Sequence, residues 1–156
     1  MKPSIIILSV FMTAFQINRA VAQTTSPSEK NRKATIRPMA NEGDTVWVIV
    51  NHIKADKRKQ FERFIHEIFW PMAKKLSPDE QRIFKQTRVL NPLRPEQDGT
   101  FNYLFIMDPV ISSADYGIEN LIKKMYDDQK ADEYIKMYHE TIASEQVFYE
   151  VVQSNY

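Results

Sequence analysis

The stretch Thr45-Val46-Trp47-Val48-Ile49-Val50-Asn51-His52-Ile53 constrains the fold more than any other part of this chain. Its density of β-branched and aromatic residues predicts a strand. Alternation places Val46, Val48 and Val50 on one face and Trp47, Ile49 and Ile53 on the other. A strand with two apolar faces must be covered on both sides. Helices can cover one. A chain of 156 residues has room for one core and little for a second, so a partner subunit is the expected cover for the other face.

The rest of the chain supplies the covering layers. From Asp56, a reasonable N-cap, Phe61, Phe64, Ile65, Ile68, Phe69, Met72 and Leu76 recur at helical spacing, with Lys57, Arg58, Lys59, Glu62 and Arg63 on the wet face. Pro71 is expected to kink or end this helix. Ser77-Pro78-Asp79-Glu80 has the form of a capping box and predicts a short extra turn. Residues 82–90 read as a strand of mixed polarity, 91–100 as a turn-rich connection, and 101–107 as a second strongly apolar strand. Ile118, Leu121, Ile122, Met125 and Tyr126 form one helical stripe. A second runs through Ala131, Tyr134, Ile135, Tyr138 and Ile142, after a break at Asp127-Asp128-Gln129. Residues 146–153 read as the last strand.

The N-terminus reads as an address. Lys2, an apolar run over residues 5–15 and the small-x-small pattern Ala20-Val21-Ala22 predict a signal peptide over residues 1–22, cleaved before Gln23. The apolar run is well short of the roughly 20 residues that cross a bilayer. Residues 23–43 read as a flexible polar leader and 44–156 as the folded domain. The expected location is periplasmic or secreted. Cleavage removes Lys2 and Arg19, leaving 19 basic against 20 acidic residues, a formal charge of −1. That balance lacks the footprint of a nucleic-acid binder. With no cysteine there is no disulfide frame, thiolate metal site or cysteine nucleophile.

The order strand, helix, strand, strand, helix, strand predicts an α+β, ferredoxin-like βαββαβ domain with helices on one face of an antiparallel sheet. The expected strand order is 4-1-3-2, with the first and third strands read as parallel neighbours. The element order, the doubly apolar first strand and the broken second helix resemble the dimeric α/β-barrel superfamily, which includes antibiotic-biosynthesis-monooxygenase-like domains. The resemblance covers about residues 44–154. It implies a homodimer paired through the sheets, and its members include cofactor-independent oxygenases, haem-degrading enzymes and stress-response proteins.

Five polar residues and one aromatic are candidates for chemistry. If the first and third strands are parallel, His52 and Asp108 share one sheet edge and form a His–carboxylate pair suited to proton abstraction. The alternative makes His52 a loop-bonded strand end and Asp108 a turn residue. Asn51, Arg88, Tyr103 and His139 are candidate ligand-binding residues: Arg88 if it points inward, Tyr103 as an apolar wall, His139 at the edge of its helical stripe. The resemblance implies that His139 and Asn51 stand where the haem-degrading branch keeps its iron-ligating His and its strand Asn. Trp47 and Trp70 are not where that branch places its Trp. His66 reads as solvated. Trp70 lies opposite the apolar stripe, which suggests cover by the leader, packing near the kink at Pro71, or a partner contact.

Three Gly in all permit no usual Gly-rich phosphate loop. There is no HExxH and no GxSxG, and three scattered His predict no metal site. No cofactor is expected, haem being the minor exception. Two readings follow. The first is an exported homodimer that binds a small organic molecule in an apolar pocket, with cofactor-independent oxygenation or proton transfer as its chemistry. The second is a non-catalytic interaction or scaffold module of the cell envelope, which predicts a filled core and His52 apart from Asp108.

Overall fold

The computed structural model describes residues 37–155, so the expected signal peptide and most of the leader lie outside the described residues. The first strand, β1 (Thr45–Ile53), sits inside a four-stranded sheet of order β2-β3-β1-β4. The others are β2 (Thr87–Leu90), β3 (Phe101–Met107) and β4 (Val147–Val152), and every pairing is antiparallel. The helices lie on one face. This is the ferredoxin-like α+β arrangement that the element order predicts.

One expectation about the sheet is overturned. β1 and β3 are antiparallel neighbours, with Trp47 opposite Met107 and His52 opposite Asn102. The physical reason lies in the connections. A crossover helix between β1 and β2 leaves those strands parallel, and the β2–β3 hairpin then reverses β3 against both.

The first helical segment, α1, runs without interruption over residues 55–75. It changes pitch on the way: a 3-10 turn at Ala55–Lys57, an α-helical turn at Arg58–Arg63, a π-helical stretch at Phe64–Phe69, an α turn at Trp70–Met72 and a 3-10 turn at Ala73–Lys75. Lys54, not Asp56, precedes its first turn. Pro71 neither ends nor breaks it. The proline has no N–H to give the helix ladder, and the widened turn directly upstream is where the ring is accommodated. Phe64 and Phe69, five residues apart, stack at 5.8 Å with 12° between their planes, the spacing a π turn brings into line.

That extra residue per turn also decides among the readings of Trp70, in favour of packing beside Pro71. Beyond a π stretch, side chains lag behind the 3.6-residue period, so Trp70 swings from the predicted outer side toward the core. It packs on Phe69, Phe84 and Phe105 with centroids at 5.9, 5.1 and 6.3 Å.

The capping box is realised at α2 (Pro78–Gln86): Ser77 Oγ accepts from the Glu80 N–H at 3.4 Å, and Glu80 Oε2 accepts from the Ser77 N–H at 3.2 Å. The helix is nine residues long. It therefore takes up most of the predicted 82–90 strand and leaves only Thr87–Leu90 for the sheet. Ile83 and Phe84 reach the core while Arg82 and Lys85 stay outside. The second helical region is broken as predicted, into α3 (Ile118–Met125) and α4 (Asp128–Thr141), the latter capped by Asp127 accepting from the Lys130 N–H at 3.0 Å.

The core fills the space between helices and sheet: Phe61, Phe64, Ile65, Ile68 and Phe69 from α1, Leu121, Ile122 and Met125 from α3, and Ile53, Phe105 and Met107 from the strands. The far sheet face is also apolar, with Val46, Val48, Val50, Leu104, Ile106, Val147, Tyr149 and Val151 at alternating, cross-strand-paired positions. No described helix covers it, and residues 37%, 53% and 46% exposed stand on β4 at Val147, Tyr149 and Val151. Ahead of β1, the Ala40 N–H donates to Asp108 Oδ1 at 2.7 Å and the Gly43 N–H to the Gln153 carbonyl at 3.0 Å. The folded unit thus begins before Asp44.

Phe61 is fully buried against the Tyr103 ring at 4.7 Å. Phe61→Ala is expected to cost about 3–5 kcal/mol, and Ser77→Ala about 1 kcal/mol through loss of the cap. Urea unfolding of the two variants should show that ranking with an unchanged denaturant slope.

Candidate functional site

A cavity of about 520 Å³ opens between the sheet and α1, α2, α3 and α4. That lies in the range of roughly 300–1,000 Å³ common for ligand pockets. Its walls are apolar: Ile49, Phe105 and Met107 from the sheet, Phe69 and Trp70 from α1, and Ile83 and Phe84 from α2.

The polar part is built where α4 returns to the end of β1. The Lys54 N–H donates to the Thr141 carbonyl at 2.9 Å, the Ala143 N–H to the His52 carbonyl at 2.7 Å, and Ile53 bridges Ile142. This seam holds Tyr138 and Gln146 over Asn51. Asn51 Oδ1 accepts from the Tyr138 hydroxyl at 3.1 Å and from Gln146 Nε2 at 2.5 Å, and Gln146 Nε2 lies 2.9 Å from the Tyr138 oxygen. With its carbonyl doubly engaged, Asn51 offers the cavity its amide N–H groups. Burial pushes the Tyr138 hydroxyl up to about 12; the Gln146 bond opposes that rise and the Glu119 charge adds to it.

At the rim, His139 Nε2 lies 2.8 Å from Glu119 Oε1, joining α4 to α3. A carboxylate only accepts, so Nε2 carries the proton and Nδ1 is left as the acceptor of the neutral ring.

Of the six residues singled out from sequence, Asn51 and His139 line this cavity and the other four do not. His52 and Asp108 are not a pair. Because β1 and β3 run in opposite directions, His52 sits level with Asn102 and Asp108 falls beyond Met107, opposite the start of β1. That is about 20 Å away at some six residues of strand. His52 Nδ1 instead lies 2.7 Å from Asn102 Oδ1. Asp108 is paired with the Arg88 guanidinium. Arg88 stands on the far sheet face, level with Ile106, so it points away from the cavity. Tyr103 is on the helix side and buried, but its hydroxyl donates to Glu62 Oε1 at 2.6 Å and accepts from Arg58 Nε at 3.3 Å. Burial, then the Glu62 bond, pushes that phenol up to about 12, while the Tyr103 bond holds the Glu62 carboxyl below its usual range.

Glu119, Tyr138 and Gln146 were not singled out. Tyr138 reads from sequence as a core aromatic, and Glu119 and Gln146 as polar residues beside element ends. The adjacency of Tyr138 to His139 is the one signal that a polar cluster could form there. The described residues hold no group of three or more His, Asp or Glu side chains able to share a metal ion, and none of their helices is long and apolar enough to cross a membrane.

No protein-family model and no curated protein matches this chain. Among solved structures, it is similar to one from Caulobacter crescentus CB15 described as a "putative antibiotic biosynthesis monooxygenase". The identity is 13%, the TM-score is 0.38, and the match covers 73% of this chain and 92% of that one.

Tyr138→Phe deletes one of the two bonds to Asn51 and is expected to cost about 1 kcal/mol at neutral pH. A phenol held at about 12 in the fold, against about 10 when unfolded, stabilises the protein fully below pH 10 and loses that contribution as pH rises through 12. Melting temperatures between pH 9 and 12 should therefore fall less steeply in Tyr138→Phe than in the wild type. The slope should not vanish, since Tyr103 titrates in the same window.

Proposed function

We propose that this protein binds a small, mostly apolar organic molecule bearing a hydrogen-bond acceptor, held between sheet and helices. The observation that carries this reading is the apolar cavity with Asn51 at its polar end. Neutral acceptors such as a ketone or quinone oxygen suit the Asn51 amide N–H groups, and Trp70, Phe69 and Phe84 supply aromatic contact for a flat body.

His139 is the residue in place to move a proton. Glu119 orients its ring, the role the sequence reading gave to Asp108 beside His52. Removal of a proton from a bound substrate is the step that cofactor-independent oxygenation requires first. Haem is not part of this reading: His139 Nε2 is engaged by Glu119, which leaves only Nδ1 of that ring as an acceptor.

The second half of the proposal is a homodimer through the open sheet face, in an exported protein of the periplasm or the secreted space. The field from Val46 to Val151 is continuous, and exposed apolar patches of this kind mark association sites. The scaffold reading draws on the same face and on the separation of His52 from Asp108. The cavity favours the ligand reading.

Native mass spectrometry of the chain from Gln23 to Tyr156, purified from its own host, tests both halves. The expected result is a dimer carrying an added small-molecule mass. Asn51→Ala should lose the added mass and stay dimeric, whereas Val48→Glu, placed between Ile106 and Tyr149, should give monomers. A wild-type monomer would sink the paired-sheet arrangement. A dimer that neither carries nor takes up any organic molecule would sink the ligand reading in favour of the scaffold.

A further inference from the structure

The polar end of the large cavity has an amide and a carboxylate that nothing in the chain engages. Asn51 is 1% exposed and lines the cavity. Its carbonyl takes the bonds from Tyr138 and Gln146, while its amide nitrogen has no partner among the described residues. The side-chain atoms that are both unpartnered and shut off from open space are Trp47 Nε1, Thr87 Oγ1 and Arg88 Nε. The Asn51 nitrogen is not one of them, so it keeps an opening, and the cavity is the space that Asn51 lines. Buried amides are ordinarily bonded, and free N–H groups on a cavity wall mark a place where a ligand atom belongs.

The charge at this cavity is of one sign. Glu119 and Glu145 are among its lining residues, and no Lys or Arg is. Glu119 is held by His139. Glu145 is in no ion pair among the described residues. It directly precedes Gln146, whose side chain donates to Asn51, so Glu145 stands at the same end of the cavity as the Asn51 amide.

We infer that the ligand's polar head carries a protonated amine next to its hydrogen-bond acceptor: the acceptor takes the Asn51 N–H groups, the ammonium faces Glu145, and the apolar body lies along Phe69, Trp70 and Phe84. The inference rests on the ligand reading given above. A cleft with apolar walls and one sign of charge concentrates the opposite sign, and a carboxylate that meets an ammonium gains a charge-assisted hydrogen bond.

Calorimetric titration of the Gln23–Tyr156 chain at neutral pH tests it, with the amino alcohols 2-amino-3-phenylpropan-1-ol and 2-amino-4-phenylbutan-1-ol set against 3-phenylpropan-1-ol and 4-phenylbutan-1-ol. Each pair shares its ring and its accepting oxygen and differs in the amine. The better amino alcohol is expected to bind about fivefold more tightly than its deamino partner, the upper end for a solvent-exposed ion pair. Glu145→Gln, a change at an exposed loop position, should bring the two within about twofold by weakening the amine alone. Asn51→Ala should weaken both compounds. Equal wild-type affinities would overturn the amine assignment and leave the cavity reading standing. So would a preference that survives Glu145→Gln. Binding of none of the four at millimolar concentration would overturn both.

Discussion

The seam between the end of α4 and the end of β1 is the contact on which the rest of the site depends. Two backbone hydrogen bonds and one bridge join Thr141–Ala143 to His52–Lys54. They do little for the core, which is built mostly by α1 and α3 against the strands. Their effect is positional. They hold the last turn of α4 across the cavity's end, so that Tyr138 and Gln146 close on Asn51 and His139 stands at the rim beside Glu119. A buried asparagine in apolar surroundings is tolerable only when its carbonyl is satisfied. The same three-residue knot therefore serves both stability and the orientation of the amide toward the cavity.

The sheet divides the polar residues into two populations. Asn51 and Tyr103 stand on the helix side of β1 and β3. His52, Asn102, Arg88 and Asp108 stand on the far side, where His52 meets Asn102 at one end and Arg88 meets Asp108 at the other. Between those polar ends lies the apolar field. Whatever covers that field meets a hydrophobic centre with polar groups at its margins, the usual anatomy of a specific protein interface.

Much of the architecture was legible in the residues. The two apolar faces of Thr45–Ile53, the capping box at Ser77 and the break after Tyr126 each have a local physical cause, and each appears in the structure. The site was half legible. Asn51 and His139 were named, but the pairing of His52 with Asp108 failed because strand direction is a property of the connections, not of the strand. The hairpin between β2 and β3 already dictated it. Glu119 and Gln146 were invisible for a different reason: a polar residue at an element end has no periodicity to betray it, and only the closure of α4 onto β1 gives these two a function. The strand predicted at residues 82–90 was lost to a helix whose N-terminal cap outweighed the weak β preference of Arg82–Gln86.

The π-helical stretch at Phe64–Phe69 makes chain length, rather than composition, the variable that sets one wall of the cavity. A π turn holds one more residue than the α turn it replaces. Removing a single residue from that stretch would let the helix relax to regular pitch with its apolar character nearly unchanged, yet it would rotate Trp70 back toward solvent and open that side of the cavity. Substitutions there alter packing one side chain at a time. A deletion would act as a gear change, retiming every residue downstream to Lys75. In this fold the geometry of the pocket is therefore encoded partly in counting, and two chains with matching residue types but a one-residue difference in α1 would present differently shaped sites.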